Sequence, residues 1–349
     1  MSANFNISKL VRSNVANLKP YSSARDEFKD FNADMVFLDA NENPFGQSLN
    51  RYPDPQQRDL KALIAEQKEI QRNQILLGNG SDEVLDLIFR AFCEPSKDSI
   101  ITMPPTYGMY KVLANINHIK NKEILLTSTF EIDTNAVLEG ISPDVKLIFI
   151  CSPNNPSGNL LNKKAITEIL EQFHGLVVID EAYIDFTEAE SWVQTLDKYP
   201  NLLVTQTFSK AYGLAGIRLG ICFGSKEIIT ILNKIKPPYN VNSLTQDLAL
   251  KKAIETEKIK EEIKNIIVER GRLKNMLNSL VYIKKIYHSD ANFLLVKVDD
   301  AKKRYGQLLE QGIVVRNRSS QPHCNNCLRF TIGTTEENKK LIQALKNIS

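Results

Sequence analysis

Short apolar runs that end in polar, turn-rich loops recur along this chain, and helical patterns separate them. Four such runs cover residues 99–102, 146–151, 176–180 and 201–205. Apolar runs of this length between turn signals are typical of buried strands. Strands that alternate with helices predict a mostly parallel sheet covered by helices. We therefore expect an α/β fold: a large domain with a mostly parallel sheet flanked by helices, plus a smaller α+β domain.

The boundaries of these domains follow from changes of pattern. Residues 1–30 are polar with little periodicity and are expected to form an N-terminal arm that enters the small domain. A short strand is predicted at 35–39, and the large domain is expected to span 31–240. After the Lys-Pro-Pro-Tyr-Asn segment at 236–240, residues 244–280 form a charged, amphipathic pattern that Gly271 is expected to interrupt. The small domain is expected to span 241–349, and its stretch 291–333 is expected to form a half-buried sheet with one flanking helix.

Composition excludes several function classes. The net charge of +3 over 349 residues is small and its cations are dispersed, which argues against a nucleic-acid partner. No apolar run approaches the ~20 residues of a membrane span, and residues 1–6 lack a secretory signal. Five cysteines, an odd number, indicate reduced thiols and a cytoplasmic protein. A zinc site at Cys324 and Cys327 would need a second ligand pair, so no metal is expected.

A lysine lies in the segment Thr-Phe-Ser-Lys-Ala-Tyr-Gly-Leu-Ala-Gly-Ile-Arg at 207–218. Lys210 follows the predicted strand 201–205, on a loop where α/β proteins place their chemistry. Thr207, Ser209 and Arg218 are groups suited to hold a phosphate. A lysine beside phosphate ligands indicates pyridoxal phosphate bound as a Schiff base. The alternative is a solvated Ser-Lys pair on an ordinary loop.

The turn Gly-Asn-Gly-Ser-Asp at 78–82 joins a predicted strand to a predicted helix at 81–92, with Ser81 as its N-cap. Such a turn offers free N–H groups to an anion. Glu83 occupies the place of the third glycine of the dinucleotide-binding fingerprint, so that function is not indicated. A plain turn with an N-cap remains the alternative.

Two further polar groups follow strand ends. Asp180 closes the apolar strand 176–180, where its carboxylate can pair with a cationic ring nitrogen. Tyr183 and Asn155 are placed to contact a phenolic oxygen of the same ring. The alternatives are a helix-capping aspartate, a surface tyrosine and a structural loop asparagine.

Together these motifs resemble the aspartate-aminotransferase superfamily of fold-type I pyridoxal-phosphate enzymes. The ordered motifs are Gly-Asn-Gly-Ser-Asp (78–82), Pro-Thr-Tyr (105–107), Asn-Asn-Pro-Ser-Gly (154–158), Asp-Glu-Ala-Tyr (180–183), Ser-Lys (209–210) and Arg218. The resemblance implies catalytic roles for Lys210, as the Schiff-base lysine, for Asp180, as the pyridinium partner, and for Tyr183. It implies that the cofactor is bound by Gly80, Ser81, Tyr107, which would stack on the ring, Asn155, Asp180, Tyr183, Thr207, Ser209, Lys210 and Arg218.

Within that superfamily the chain is most similar to the histidinol-phosphate aminotransferase family. The similar segments are Ala-Asn-Glu-Asn-Pro (40–44), Arg-Tyr-Pro (51–53), Pro-Pro-Thr-Tyr-Gly-Met-Tyr (104–110), Gly-Ile-Val-Val-Arg (312–316) and Cys-Leu-Arg-Phe-Thr-Ile-Gly (327–333). The resemblance implies a homodimer in which Tyr52 reaches the cofactor phosphate of the neighbouring subunit. It implies Arg329, Arg316 and Tyr21 as substrate-binding residues. The stretch 317–324 is not distinctive.

The implied reaction moves an amino group from L-histidinol phosphate to 2-oxoglutarate, giving imidazole-acetol phosphate and glutamate in histidine biosynthesis. Lys210 would move the proton, and the two substrates would alternate in one pocket. An aromatic-amino-acid aminotransferase or a phosphothreonine decarboxylase on the same fold is the alternative. A non-catalytic binding protein derived from this fold is a further alternative, which the presence of Lys210 opposes.

Overall fold

The computed structural model describes residues 5–21, 25, 36–46 and 49–348. The strands are β1 (Ile75–Asn79), β2 (Ser99–Thr102), β3 (Lys120–Glu123), β4 (Val145–Cys151), β5 (Leu176–Asp180), β6 (Leu202–Thr207), β7 (Leu219–Gly224), β8 (Ile283–Ile286), β9 (Phe293–Val298), β10 (Arg316–Asn317) and β11 (Cys327–Thr331). The α-helices are α1 (Ser13–Ala16), α2 (Arg58–Lys68), α3 (Ser81–Phe92), α4 (Met109–Ile116), α5 (Thr134–Glu139), α6 (Lys163–Gln172), α7 (Lys226–Ile235), α8 (Ser243–Ile254), α9 (Thr256–Leu277), α10 (Ala301–Glu310) and α11 (Thr335–Asn347). Single turns of 3₁₀ helix include Ile184–Phe186 and Ala215–Ile217.

The larger sheet has seven strands in the order β1-β7-β6-β5-β4-β2-β3. Strands β3, β2, β4, β5 and β6 pair in parallel. Strand β7 is antiparallel to both of its neighbours, β6 and β1, so β1 runs in the same direction as the parallel set. The predicted α/β fold with a mostly parallel sheet is confirmed, and β5 is its middle strand.

Both faces of this sheet are covered, as its apolar runs require. In β5, Val177 and Ile179 belong to one layer of the core, whereas Leu176 and Val178 belong to the layer on the opposite face. All four side chains are 0% exposed. A strand buried on both faces must be apolar at every position rather than at every second one, and this explains the continuous runs in the sequence.

The smaller sheet has the order β10-β11-β9-β8, and all of its pairs are antiparallel. Its buried residues form a core with side chains of α9, α10 and α11, among them Leu273, Leu308 and Leu345. Helix α10, between β9 and β10, is the one α-helix within 291–333, as predicted. Helix α8 packs on α2, and the division into domains near residue 240 stays a prediction.

Three local predictions were wrong. Residues 36–39 form no strand, and Leu38 is 87% exposed, so the apolar run there does not mark burial. Ser81 is the first helical residue of α3, and Gly80 occupies the N-cap position with φ of 80°. The pattern at 244–280 is two helices that meet at Glu255, whereas Gly271 lies inside α9 without breaking it.

One glycine of β7 lets two distant segments meet. Gly220 pairs with Gly78 of β1 and with Thr207 of β6. A Cβ at position 220 would lie 2.3 Å from the backbone nitrogen of Ser81 and 2.4 Å from the carbonyl carbon of Gly80. Backbone atoms cannot give way as flexible side chains do, so this close approach of β7 to the start of α3 requires glycine.

We expect Gly220→Ala to destabilise the protein by about 1–3 kcal/mol, the usual range for overpacking a filled interior. The matched control is Gly306→Ala in α10, where an added Cβ meets nothing within 4 Å. In a helix that change should be neutral or stabilise by about 0.5–1 kcal/mol. Urea unfolding of both variants measures the difference, and equal stabilities would contradict the close approach.

Candidate active site

The carboxyl ends of β4, β5 and β6 meet at one edge of the larger sheet because the three strands are parallel. A pocket opens there, and the residues that line it come from these ends and from the start of α3. They are Ser81, Asp82, Tyr107, Cys151, Asn155, Asp180, Ala182, Tyr183, Thr207, Ser209, Lys210, Ala215 and Arg218. Nine of the predicted site residues thus share one pocket. Their roles stay predictions.

Lys210 lies on the loop that follows β6, and its side chain is accessible from solvent. Its Nζ lies 5.8 Å from the centre of the Tyr183 ring. Partial burial lowers the pKa of Lys210, and the charges of Arg329 and Arg218 lower it further, while Asp180 and Asp82 act in the opposite direction. A lysine with a lowered pKa is a stronger candidate for nucleophile and proton carrier than a fully hydrated one.

Asp180 ends the middle strand, and it is 4% exposed. Its Oδ2 accepts a hydrogen bond from the Tyr110 hydroxyl at 2.7 Å, and its Oδ1 accepts one from the backbone N–H of Ala182 at 3.2 Å. Burial raises the pKa of Asp180, and the Tyr110 hydrogen bond opposes that rise most strongly. A buried carboxylate of this kind favours a cationic partner in the pocket.

The opposite end of the pocket is built for an anion. Arg218 Nη2 would lie 2.7 Å from a Cβ at Gly80, so the guanidinium lies directly over the turn that begins α3. The Ser209 N–H donates to Thr207 Oγ1 at 3.1 Å, which fixes both hydroxyl residues on one loop. The hydroxyls, the guanidinium and the N-terminus of a twelve-residue helix form a donor set suited to phosphate.

Three further side chains complete the walls. The Asn155 Nδ2 donates to the Tyr183 hydroxyl at 3.4 Å. The Tyr107 hydroxyl donates to Asp82 Oδ1 at 3.0 Å. Burial raises the pKa of Tyr183 and of Tyr107, so both phenols stay protonated at neutral pH.

An arginine from the smaller sheet reaches this pocket. Arg329 of β11 donates to Asn155 Oδ1, and its guanidinium lies 4.9 Å from the centre of the Phe293 ring. Burial lowers the pKa of Arg329 to about 10, and the positive charge of Arg318 contributes. The Nε atoms of Arg329 and Arg318 are buried and have no hydrogen-bond partner among the residues that the structure describes.

Comparison with known proteins places this geometry in a family. The model of the aminotransferase class I and II family matches residues 24–345. The chain belongs to the aminotransferase class I and II family. It is 63% identical over 344 residues to a histidinol-phosphate aminotransferase of Christiangramia forsetii, covering 99% of this chain and 98% of that protein. It is 60% identical to one of Flavobacterium johnsoniae over 343 residues, covering 98% of each.

A solved structure has the same fold. The histidinol-phosphate aminotransferase of Clostridium acetobutylicum matches with a TM-score of 0.80 and 28% identity, over 86% of this chain and 91% of that one. The predicted resemblance to the superfamily, and within it to histidinol-phosphate aminotransferases, is confirmed.

Five predicted residues do not line the pocket of this aminotransferase. Gly80 lies against Arg218 and Arg329 contacts Asn155, whereas the other three have no contact with its lining in the part of the chain that the structure describes. Tyr52 is 50% exposed and stacks on Tyr239, with ring centres 4.4 Å apart. Tyr21 is 75% exposed. Arg316 is exposed on β10, directly opposite Arg329 in the register. Within the single chain described, Tyr52, Tyr21 and Arg316 therefore do not line the pocket with the predicted cofactor-binding residues, and their roles stay predictions.

Sequence reasoning missed several residues around the pocket. Asp82 lines it and contacts Tyr107, although it was named only as the last residue of the motif 78–82. Tyr110 contacts Asp180, and the spacing of three from Tyr107 at the start of a helix could have indicated it. Arg318 follows Arg316 by two, so the period of a strand places both on one face. Cys151 had no signal beyond its place at a strand end.

Among the residues that the structure describes, no group of three or more His, Cys, Asp and Glu side chains is arranged to hold a metal ion. In that same part of the chain, every helix is too short or too polar to cross a bilayer.

Proposed function

We propose that this aminotransferase transfers the amino group of L-histidinol phosphate to 2-oxoglutarate, with pyridoxal phosphate as cofactor, as a step of histidine biosynthesis. The observation that carries the proposal is one pocket that unites a lysine amine, a buried carboxylate and a phosphate-type donor set. The similarity to proteins named histidinol-phosphate aminotransferase, over nearly the whole chain, supports the choice of substrate.

The residues present fit pyridoxal phosphate. Ser81, Thr207, Ser209 and Arg218 would hold its phosphate, with Gly80 leaving room for the guanidinium. Asp180 would pair with its ring nitrogen, Tyr183 and Asn155 with its ring oxygen, and Tyr107 would lie against its face. When bound, the cofactor supplies a cationic ring that accepts electrons from the substrate carbon.

The residues of the chain then have separate tasks. Lys210 Nζ would take the proton from the substrate carbon and deliver it to the cofactor carbon that receives the amino group, and its lowered pKa favours the neutral amine that this needs. Asp180 holds the ring nitrogen in its protonated form by its negative charge. Tyr183, which stays protonated because burial raises its pKa, donates a hydrogen bond rather than acting as a base.

The arginines of the smaller sheet are proposed to bind the anionic end of the substrate. Arg316 lies opposite Arg329 across the strands, and the backbone N–H of Arg318 donates to the Cys327 carbonyl at 2.8 Å, which extends the pairing. The register therefore places three arginines on one face. Like charges opposite each other destabilise a sheet, so an anion is needed to balance them. A phosphate dianion supplies more charge than a carboxylate and can accept bidentate hydrogen bonds from more than one guanidinium.

The alternatives keep the same cofactor residues and differ at this arginine face. A phosphothreonine decarboxylase or an aromatic-amino-acid aminotransferase would use another substrate in the same pocket. Adding each candidate amine to the holoenzyme and following the cofactor absorbance distinguishes them, because only a true amino donor converts the cofactor fully. The proposed location is the cytoplasm, in keeping with five free cysteines.

We also propose a homodimer. Leu49 and Leu244, 58% and 55% exposed, line a surface pocket together with Tyr52. Val36, Leu38 and Phe45 precede them in sequence and are 81%, 87% and 89% exposed. Exposed apolar side chains of this kind are typical of a protein interface. In the proposed dimer Tyr52 reaches the cofactor phosphate of the partner subunit, which accounts for its place outside its own pocket.

The shared site can be tested by mixing two inactive variants. Lys210→Ala subunits retain Tyr52, and Tyr52→Phe subunits retain Lys210. Hybrid dimers should regain one complete site of two, because each variant supplies what the other lacks. If the two sites work independently, we expect about half of the wild-type rate per hybrid dimer, or about a quarter for an equal mixture in which about half of the dimers are hybrids. Steady-state transamination after subunit exchange measures the recovery. No recovery, with hybrids verified by mass spectrometry, would place Tyr52 outside the site.

Lys210→Ala should abolish multiple-turnover transamination while the fold and the binding of pyridoxal phosphate persist. The physical reason is that the pocket keeps its phosphate and ring contacts but loses its proton carrier. Turnover is measured with histidinol phosphate and 2-oxoglutarate, and cofactor binding by equilibrium dialysis. The matched control is Lys226→Ala in the first turn of α7, outside the pocket. A rate within threefold of wild type in Lys210→Ala would contradict the assignment.

We expect the three arginines to differ in which substrate they help to bind. A charge-assisted hydrogen bond contributes ~1.5–3 kcal/mol, so Arg318→Ala should lower kcat/KM for histidinol phosphate by about 10- to 150-fold. Arg316→Ala should cost about 3- to 10-fold, because its exposed charge is screened by solvent. Both should affect the glutamate half-reaction less, whereas Arg329→Ala should impair both substrates. Equal losses for both substrates in Arg318→Ala would show that the division is wrong.

A further inference from the structure

Tyr110 lies in the first turn of α4 and is 0% exposed. Its hydroxyl donates to Asp180 Oδ2 at 2.7 Å, yet Tyr110 is absent from the lining of the pocket. Any effect that it has on the reaction must therefore pass through the pocket residues that it contacts, and Asp180 is the one that accepts its hydrogen bond.

The ring of Tyr110 is held on several sides. It stacks on Phe149, with ring centres 5.0 Å apart and planes at 21°, and Phe149 stacks in turn on Phe89 at 5.1 Å. Its edge meets Tyr107 at 5.5 Å and 85°. A ring fixed in this way cannot turn its hydroxyl away from Asp180, so the donor is oriented before any ligand arrives.

The carboxylate that receives this hydrogen bond has few other means of staying ionised. Its second oxygen accepts a longer hydrogen bond, at 3.2 Å, from the Ala182 N–H, and the Thr205 side chain also favours the charged form. All of these donors, like the Tyr110 hydroxyl, are neutral. Burial works against the charge, and the nearby Asp82 adds to that effect. The other titratable groups that face Asp180 are Cys151, Tyr107, Tyr183 and Lys210.

We propose that Tyr110 is a positioning residue for the transamination: its hydroxyl fixes the orientation of the Asp180 carboxylate and keeps it ionised toward the ring nitrogen of the cofactor. This inference rests on the proposed function, since it gives Asp180 a cationic partner. A tyrosine suits the task because burial raises the pKa of Tyr110 well above its ordinary value. The phenol therefore stays a donor at every pH at which the enzyme works.

Tyr110→Phe removes one oxygen and keeps the ring. Without the donor the pKa of Asp180 rises further, so the carboxylate becomes protonated at a higher pH. Cofactor binding should therefore begin to weaken at a higher pH. Loss of a hydrogen bond to a charged group should raise by about one to two units the pH below which the dissociation constant for pyridoxal phosphate increases. That constant is measured by dialysis of the cofactor-free protein across the neutral pH range. We expect kcat to fall about 10- to 100-fold at neutral pH, with KM for histidinol phosphate within about threefold of wild type.

A double-mutant cycle separates this role from packing. In the Asp180→Asn background there is no carboxylate to keep ionised, so Tyr110→Phe should have almost no further effect on kcat or on the dissociation constant. Tyr199→Phe removes the hydroxyl of another buried tyrosine outside the pocket, and should keep the wild-type pH profile. Tyr110→His, which keeps a ring with an N–H donor, should lose less than Tyr110→Phe.

Four results would overturn the inference: a wild-type pH profile in Tyr110→Phe, additive losses in the cycle, the same shift in Tyr199→Phe, or a Tyr110→Phe protein that does not fold. Failure of the proposed function has a different signature. In that case the wild-type protein would not transaminate histidinol phosphate, while the upward shift of the pyridoxal phosphate dissociation constant in Tyr110→Phe would still support the role of Tyr110.

Discussion

A carboxylate loses its hydration when the chain buries it, and hydrogen bonds or a cation must replace what water supplied. Asp180 is such a group, 4% exposed at the end of the middle strand of a seven-stranded sheet. The strands on either side, β4 and β6, end at the same edge, so Cys151 and Thr205 flank it in the register. The other residues that line the pocket are arranged around this one charge.

The reversed strand β7 is the second constraint. Because β7 lies between β6 and β1, its first residues lie beside both the Lys210 loop and the start of α3. Arg218 comes just before β7, and Gly220 within β7 touches the backbone at Gly80 and Ser81. A phosphate-type site is thus assembled from segments about 130 residues apart in sequence, and one antiparallel strand is what brings them together.

Most of the larger sheet was predictable because its strands are buried on both faces. The runs 99–102 and 176–180 were predicted with the bounds that the structure has. The run at 36–39 failed because apolar character does not specify burial: Leu38 is exposed. The break between α8 and α9 at Glu255 carries no glycine or proline, so no local signal marks it. Tertiary packing decides both cases.

Residues of the site were likewise predictable where the signal is local, and not where it depends on tertiary contacts. Lys210 and Asp180 were found because motifs at strand ends are local signals. Arg318 was missed, since its place opposite Cys327 depends on the register between β10 and β11, which are separated by a loop. Tyr110 was missed because its contact with Asp180 joins residues 70 positions apart.

Arg329 of the smaller sheet influences the site on the larger sheet through the pKa of Lys210. Burial is the main cause of its lowered pKa, and the positive charge of Arg329 is the next. An anion bound to Arg329 would offset that second contribution, since Coulomb interactions between nearby groups act in both directions. Lys210 would then be a stronger base with substrate in place than without it. In the proposed function, the arginine face that binds an anionic substrate would thus also adjust the basicity of the amine. This coupling requires Arg329 to lie within reach of the pocket, as its hydrogen bond to Asn155 ensures.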